Sequence, residues 1–175
     1  MDRNTMEQWV QRNFELRRRY YSLIAAGIEQ KLARPASEAE ISVFESHIGY
    51  PLPPSYRMLL SLHNGWRHWE GDTHLLSLEQ MRHGPYADWV RAWKEEAKGR
   101  GETLIRQGLV VATALHADTG LILDTALRHK GGEMTIVNWE HQEIARYWDF
   151  LELLQRDAED WEALVEGEES GRGEP

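Results

Sequence analysis

Residues 37–65 carry the start and stop signals of two short helices, and this segment constrains the fold more than any other part of the chain. Ser37 and Glu40 have the spacing of a capping box at a helix start. Gly49 is a natural left-handed stop, since glycine adopts positive φ without steric cost. Between them, one face of a 3.6-residue period carries Ile41, Phe44 and Ile48. The sequence therefore predicts a first helix over residues 37–48.

A second helix is predicted over residues 54–63. Pro53 and Pro54 disfavour helix before them and suit the first helical turn after them. The face that follows carries Tyr56, Leu59, Leu60 and His63, and the turn residues Asn64 and Gly65 close the segment. Two amphipathic helices joined by a Gly-to-Pro connection form a helical hairpin.

The order and spacing of these residues resemble the opening pattern of the SUKH superfamily, which includes yeast cell-wall-synthesis regulators and many bacterial immunity proteins. The matching residues are Ile41, Phe44, Glu45, Gly49, Leu52, Pro53, Tyr56, Leu59, Leu60, Asn64 and Gly65. The resemblance implies that this motif builds the fold. Phe44, Gly49, Leu52, Pro53, Tyr56, Leu60, Asn64 and Gly65 are therefore expected to be structural residues.

The second half of the chain changes to strand-like patterns. Apolar and β-branched runs at residues 73–78, 109–114, 121–125, 134–139 and 143–147 are separated by short turns, and short links join antiparallel strands. This half is also similar to the SUKH pattern, through Asp118, Gly120, Asp124, Trp139, Glu140, His141, Phe150, Leu151 and Leu154. The resemblance covers residues 36–154. We expect a single α+β domain with an antiparallel sheet of about four to six strands packed by helices.

Helical patterns flank and interrupt this core. A long N-terminal helix is predicted over residues 4–32, within an extension that reaches residue 34, and its three consecutive arginines at 17–19 are expected to be solvated. A tryptophan-containing helix follows Gly84 and Pro85, and a last one follows Trp148. Trp89, Trp93, Trp148 and Trp161 are expected in the core. The domain is predicted to span residues 1–166, and residues 167–175 to form a flexible acidic tail.

Composition excludes several classes of function. The 175 residues include no cysteine, which removes disulfides, thiolate metal sites and thiol nucleophiles. An opening without an apolar signal region, together with the lack of a transmembrane-length apolar run, favours a cytoplasmic protein that does not enter membranes. The net charge is −9, and residues 152–175 hold nine acidic residues against two arginines. An acidic chain is a poor ligand for nucleic acid.

The sequence contains no recognisable set of catalytic residues. His116, Asp118 and Asp124 are the best metal-like group, but a turn aspartate normally bonds its own backbone. Ser55 and Ser61 lack the elbow motif of a serine nucleophile. We expect neither enzymatic activity nor a cofactor or metal.

A partner-binding surface is predicted around Trp66, Trp69, Glu70 and Asp72, in a segment interpreted as a polar loop. Aromatic anchors with nearby charge are typical of protein interfaces. The acidic residues Glu159, Asp160 and Glu162 are candidates for the same surface.

The SUKH resemblance implies a non-enzymatic immunity protein that binds a cognate toxin domain, for example a nuclease. A scaffold or regulatory module of the same fold is the alternative, and a small metal-dependent hydrolase is the third. The sequence leaves the toxin's identity and the oligomeric state open.

Overall fold

The computed structural model describes residues 2–171, which form six helices and seven strands. The helices are α1 (Arg3–Leu23), α2 (Glu38–Ile48), α3 (Pro54–Leu62), α4 (Pro85–Arg100), α5 (Thr103–Gln107) and α6 (Phe150–Gly171). The strands are β1 (Lys31–Leu32), β2 (Trp66–Glu70), β3 (Thr73–Leu75), β4 (Leu109–Thr113), β5 (Thr119–Arg128), β6 (Met134–Glu140) and β7 (Glu143–Tyr147).

The strands form one sheet in the order β1 to β7, and every neighbouring pair is antiparallel. This meander confirms the predicted α+β class and the antiparallel pairing. The sheet has seven strands, however, against the four to six expected. Two strands were missed: β1 has only two residues, and β2 occupies the segment interpreted as a polar loop.

The predicted helical hairpin is α2 and α3. Ser37 and Glu40 form the capping box, in which each side chain accepts a hydrogen bond from the other residue's backbone N–H. Gly49 ends α2 in the left-handed conformation, with φ of 83°. Pro53 is the N-cap of α3, which ends at Leu62 with His63 as its C-cap. The local signals alone thus define both helices to within one residue.

Helix α1 is shorter than predicted. It begins after Asp2, whose side chain accepts a hydrogen bond from the Thr5 N–H, and it ends at Leu23. Beyond it the backbone turns through left-handed conformations at Ala25 and Gly27. The turn brings β1 back to the sheet, where Leu32 pairs with Trp66. Pairing with the sheet therefore ends the helix well before Pro35.

Two apolar clusters lie on opposite sides of the sheet. The larger one joins α1, α2, α3 and α6 to the sheet. In the smaller one, α4 and α5 cover β4 and β5 through Trp93, Ala97 and Ile105 against Val110 and Ile122. The tryptophan-containing helix is thus the cover of the second sheet face.

The tryptophans expected in the core divide into three groups. Trp93 and Trp161 are buried, and Trp89 is partly buried against the smaller cluster. Trp148 is 54% exposed and stacks on the His129 ring at 3.6 Å, so its assignment to the core was wrong. It precedes the first residue of α6, so the helical spacing that suggested burial does not include it.

Helix α6 runs further than the sequence suggested. It continues through Gly167, where the flexible tail was predicted to begin, as far as Gly171. The rest of the predicted tail, residues 172–175, lies outside the described residues. Across its length α6 packs against α1, so the first and last helices form one layer over the sheet.

Candidate partner-binding surface

Trp66 and Trp69 lie beneath the surface and not on it. Both belong to β2, are 1% and 3% exposed, and meet edge to face with ring centroids 4.9 Å apart. The loop interpretation of this segment was therefore wrong. In a regular strand, residues three apart point to opposite faces, but the β2–β3 register is irregular between Trp66 and Glu70, and His68 has a positive φ of 56°. The bulge is what allows both indoles to enter the core.

The two indoles form part of an aromatic enclosure around Arg17, which was expected to be solvated and is fully buried. The guanidinium carbon lies 4.1, 5.3 and 4.8 Å from the ring centroids of Trp69, Trp66 and Trp161. Arg17 Nε donates to the Trp69 carbonyl at 2.6 Å. Its Nη2 forms an ion pair with Asp157 of α6. The cation is thus both paired and enclosed by π faces, as a buried charge requires.

Next to this enclosure, two acidic segments that are far apart in the sequence come together. Glu70 ends β2, and Asp157 and Asp160 lie on α6. Burial raises the pKa of Glu70, and the negative charge of Asp157 raises it next, with a further contribution from Asp160. Tyr147 also has a raised pKa, from burial first and then from Asp157, Asp160 and Glu70. We refer to Glu70, Asp157 and Asp160 as the acidic surface.

The other predicted interface residues are placed differently. Asp72 is exposed at the β2–β3 turn, where its charge acts on His74 and Tyr86. Glu159 is exposed on α6, next to the acidic surface in sequence. Glu162 faces α1 and pairs with Arg12 at 2.7 Å. Of the acids predicted for the interface, Glu70 and Asp160 lie close enough for their charges to interact, and their role in binding a partner stays a prediction.

Several of these carboxylates have no cationic partner. Within residues 2–171, no ion pair involves Glu70, Asp72, Glu159 or Asp160. By contrast, α6 pairs with α1 through Glu162 and through Glu169, which lies 2.5 Å from Arg19. The negative charge of the acidic surface is therefore only partly neutralised, through the ion pair of Asp157 with the buried Arg17.

The motif residues have visible packing roles. Phe44, Leu52, Tyr56 and Leu60 are at most 2% exposed and belong to the larger cluster. The Asn64 side-chain oxygen accepts a hydrogen bond from the Leu78 N–H at 2.9 Å. Gly65 has φ of 109°, and a Cβ there would lie 3.0 Å from the Ser77 nitrogen. Asn64 and Gly65 thus hold the segment that follows β3 close to the start of β2.

The candidate catalytic side chains make other contacts. Asp118 accepts a hydrogen bond from the Trp139 indole at 3.0 Å, and Asp124 faces Arg146 at 3.5 Å. The His116 ring packs edge-on against Trp89. In the described part of the chain, no group of three His, Cys, Asp or Glu residues is arranged to hold a metal ion.

Both serines are likewise engaged. Ser55 Oγ donates to Glu133 at 2.7 Å and accepts from the Phe150 N–H, and Ser61 Oγ donates to the Met58 carbonyl. Separately, none of the helices in residues 2–171 has the length and apolar character needed to cross a bilayer.

Comparison with known proteins gives one clear result. The family model described as the SMI1 / KNR4 family (SUKH-1) matches residues 35–167. A search of curated proteins gives no match. The family match begins after α1 and β1 and takes in the α2–α3 hairpin, strands β2 to β7 and most of α6. Since it spans well over half of the chain and includes every motif residue named above, the chain belongs to the SMI1 / KNR4 family (SUKH-1).

Proposed function

We propose that this protein is an immunity protein that binds a cognate toxin domain and neutralises it without catalysis. Membership of the SUKH-1 family carries the proposal, because the SUKH resemblance of the sequence implies the immunity type. A second observation supports it: within residues 2–171, Glu70 and Asp160 of the acidic surface form no ion pair. They supply a charged face of the kind that directs association with an oppositely charged partner.

The charge of the surface indicates the chemistry of the partner. Glu70 and Asp160 would be complementary to a basic face. A nuclease needs such a face, because it must neutralise the phosphates of its substrate. An acidic protein that covers this face would block substrate access. We therefore favour a toxin domain with a basic substrate-binding surface.

Trp66 and Trp69 have a supporting role in this proposal. Their indoles pack below Glu70 and enclose Arg17, which pairs with Asp157. They hold the end of β2 against α6, so that acids from two separate segments share one face. Loss of either indole would therefore act on binding through the fold and not through a lost contact.

The test requires the cognate domain, which the neighbouring gene would supply. Affinity is measured for the unmodified protein, for Glu70→Lys and for Asp160→Lys. Each charge reversal should weaken binding about tenfold or more, with the loss growing at low ionic strength. The matched control is Glu95→Lys on α4, where an exposed glutamate lies on the helix covering the opposite face of the sheet. Its affinity should stay within about twofold of the unmodified protein.

The readout also separates this function from its alternative. Binding that abolishes the toxic activity supports an immunity protein, whereas binding that leaves the partner active supports a regulatory scaffold of the same fold. Equal affinity for all four proteins would overturn the proposed surface and move the interface elsewhere.

A further inference from the structure

A cleft beside the β2–β3 hairpin differs in charge from the rest of the protein. It has a volume of about 570 Å³ and lies between β1, β2, β3 and the start of α4. Its walls include Lys31, Arg67, His68 and His74, and none of its twelve lining residues is acidic. Four further clefts of the protein are each lined by at least one glutamate. In a chain with 29 acidic residues, an acid-free cleft with two cations is a distinct local environment.

The cations in this cleft are not neutralised by the protein. Lys31 and Arg67 are exposed, and within residues 2–171 neither forms an ion pair. Burial lowers the pKa of His74, the charges of His68 and Arg67 lower it further, and the opposing effect of Asp72 is the smallest of the four influences. An anion entering the cleft would therefore meet two available positive charges.

Hydrogen-bond donors also line the cleft. The Asn64 and Gln80 side-chain oxygens accept from the Leu78 and Ser77 N–H groups, which leaves both amide nitrogens as donors for a ligand. His74 Nδ1 accepts from the His68 N–H, so the proton of its neutral ring is on Nε2. The Tyr86 ring lies 5.5 Å from the His74 ring and comes from the first turn of α4, which has no side-chain cap.

The backbone around this cleft has a specific shape. His68 has φ of 56°, a strained value for a residue with a side chain, and its ring nitrogen contacts the Gly71 carbonyl at 2.7 Å. The two histidine rings lie 4.8 Å apart. The bulge that turns Trp69 inward therefore also holds His68 against His74 at the cleft wall.

The geometry points to a binding site for a phosphate group in this cleft. Arg67 and Lys31 would neutralise the dianion, since guanidinium and ammonium groups are the usual protein ligands of phosphate. The amides of Asn64 and Gln80 supply neutral donors. The volume lies within the range of small-molecule sites, so a phosphate ester fits as well as free phosphate. This site is independent of the proposed partner, because the acidic surface is built from other residues.

The test measures binding of defined probes to the full chain. Inorganic phosphate, AMP, adenosine and citrate are titrated by calorimetry, and the ring resonances of His68 and His74 are followed by NMR. We expect phosphate and AMP to bind and to shift both rings, and adenosine and citrate not to bind. Tighter binding of AMP than of phosphate would identify an ester as the ligand class, whereas equal affinity would identify free phosphate.

Substitutions in the cleft lining test whether phosphate binds there. Arg67→Gln and Lys31→Gln should each weaken phosphate binding about tenfold or more, because each removes a charge-assisted contact. Arg106→Gln on α5 removes an exposed arginine remote from the cleft lining and should leave the affinity unchanged. All three sites are exposed, so the melting temperature should confirm that each variant is folded. No binding of either phosphate probe, equal loss in all three variants, or binding of citrate alone would overturn the proposal.

Discussion

Arg17 and Asp157 form an ion pair between the first and last helices, and the arginine side chain has no solvent exposure. Burial raises the pKa of Asp157, and the charge of Arg17 is the strongest influence in the opposite direction. The cost of desolvating both groups is offset by their mutual contact and by the donors that Arg17 directs to Asn13 and the Trp69 carbonyl.

Removing one member of this pair should therefore be severe. Arg17→Met leaves the Asp157 carboxylate buried without its partner, and we expect a loss of about 3–5 kcal/mol in the free energy of unfolding. Arg18→Met, at the exposed neighbouring position, should change it by less than about 0.5 kcal/mol. Urea denaturation of both variants provides the comparison. Equal stabilities would show that the pair is not buried as described.

Leu60 tests the packing of the motif helices. It is fully buried on α3, so Leu60→Ala should cost roughly 2–5 kcal/mol through lost transfer free energy and the cavity left behind. Val43, which is 55% exposed on α2, is the control, because Val43→Ala creates no cavity. A loss below about 0.5 kcal/mol for Leu60→Ala would contradict the packed hairpin.

Substitutions at Gly49 and Gly65 distinguish the cost of a left-handed backbone from the cost of a steric clash. Gly49 has φ of 83° with no neighbour within 4 Å, so Gly49→Ala should cost about 1–2 kcal/mol from the left-handed backbone alone. At Gly65, with φ of 109°, a methyl group would also press against the Ser77 nitrogen at 3.0 Å and the Leu75 oxygen at 3.1 Å. Gly65→Ala should therefore be the more destabilised variant in thermal unfolding. The reverse order would exclude close contact as the reason for glycine at this position.

Glu40 makes part of the stability dependent on pH. The hydrogen bond from Arg34 and those from Ser37 lower the Glu40 pKa from 4.5 to about 2. Because the folded-state pKa is depressed, the stabilisation is fully present above about pH 4.5 and is lost as the pH falls towards 2. The stability difference between the unmodified protein and Glu40→Gln should shrink over this window, and added salt should reduce it. A difference that stays constant from pH 6 to about pH 2 would contradict this assignment.

Divalent metal ions should have no specific effect on stability. The Asp118 and Asp124 carboxylates already face Trp139 and Arg146, and the His116 ring packs on Trp89. We expect Zn²⁺ or Mg²⁺ added at one equivalent to leave the melting temperature of metal-free protein unchanged. Saturable stabilisation at a single equivalent, lost in Asp118→Asn, would instead identify a metal site.

Local chemistry explains which elements the sequence could predict. Gly49, Pro53 and the capping box act within a few residues, so α2 and α3 can be located from the sequence alone. The end of α1 could not be located in this way, because Ile24 and Ile28 continue the helical pattern after the helix has stopped. Pairing of Lys31 and Leu32 with β2 ends it, and that interaction joins distant parts of the chain.

For the candidate surface, the sequence could predict the residues involved but not their arrangement. The acidic and aromatic residues are visible in the sequence, but the bulge at His68 is not, and it determines that both Trp66 and Trp69 face the core. Likewise, nothing local predicts that Glu70 and Asp160 share a face. Their proximity depends on α1 holding α6 against the sheet, through contacts such as Asn13 Nδ2 with the Leu154 carbonyl.

The packing of α1 against α6 also has a consequence during synthesis of the chain. The ribosome releases α1 long before residues 150–171, so Arg17 has no ionic partner until Asp157 has emerged. Until then Val10 and Tyr21 also lack part of their covering layer on the nascent chain. Since Asp157 and Asp160 complete the acidic surface, a partner that binds there, as proposed above, would recognise only a chain whose α6 has been released and packed. Nascent or C-terminally truncated chains would be unable to compete for it.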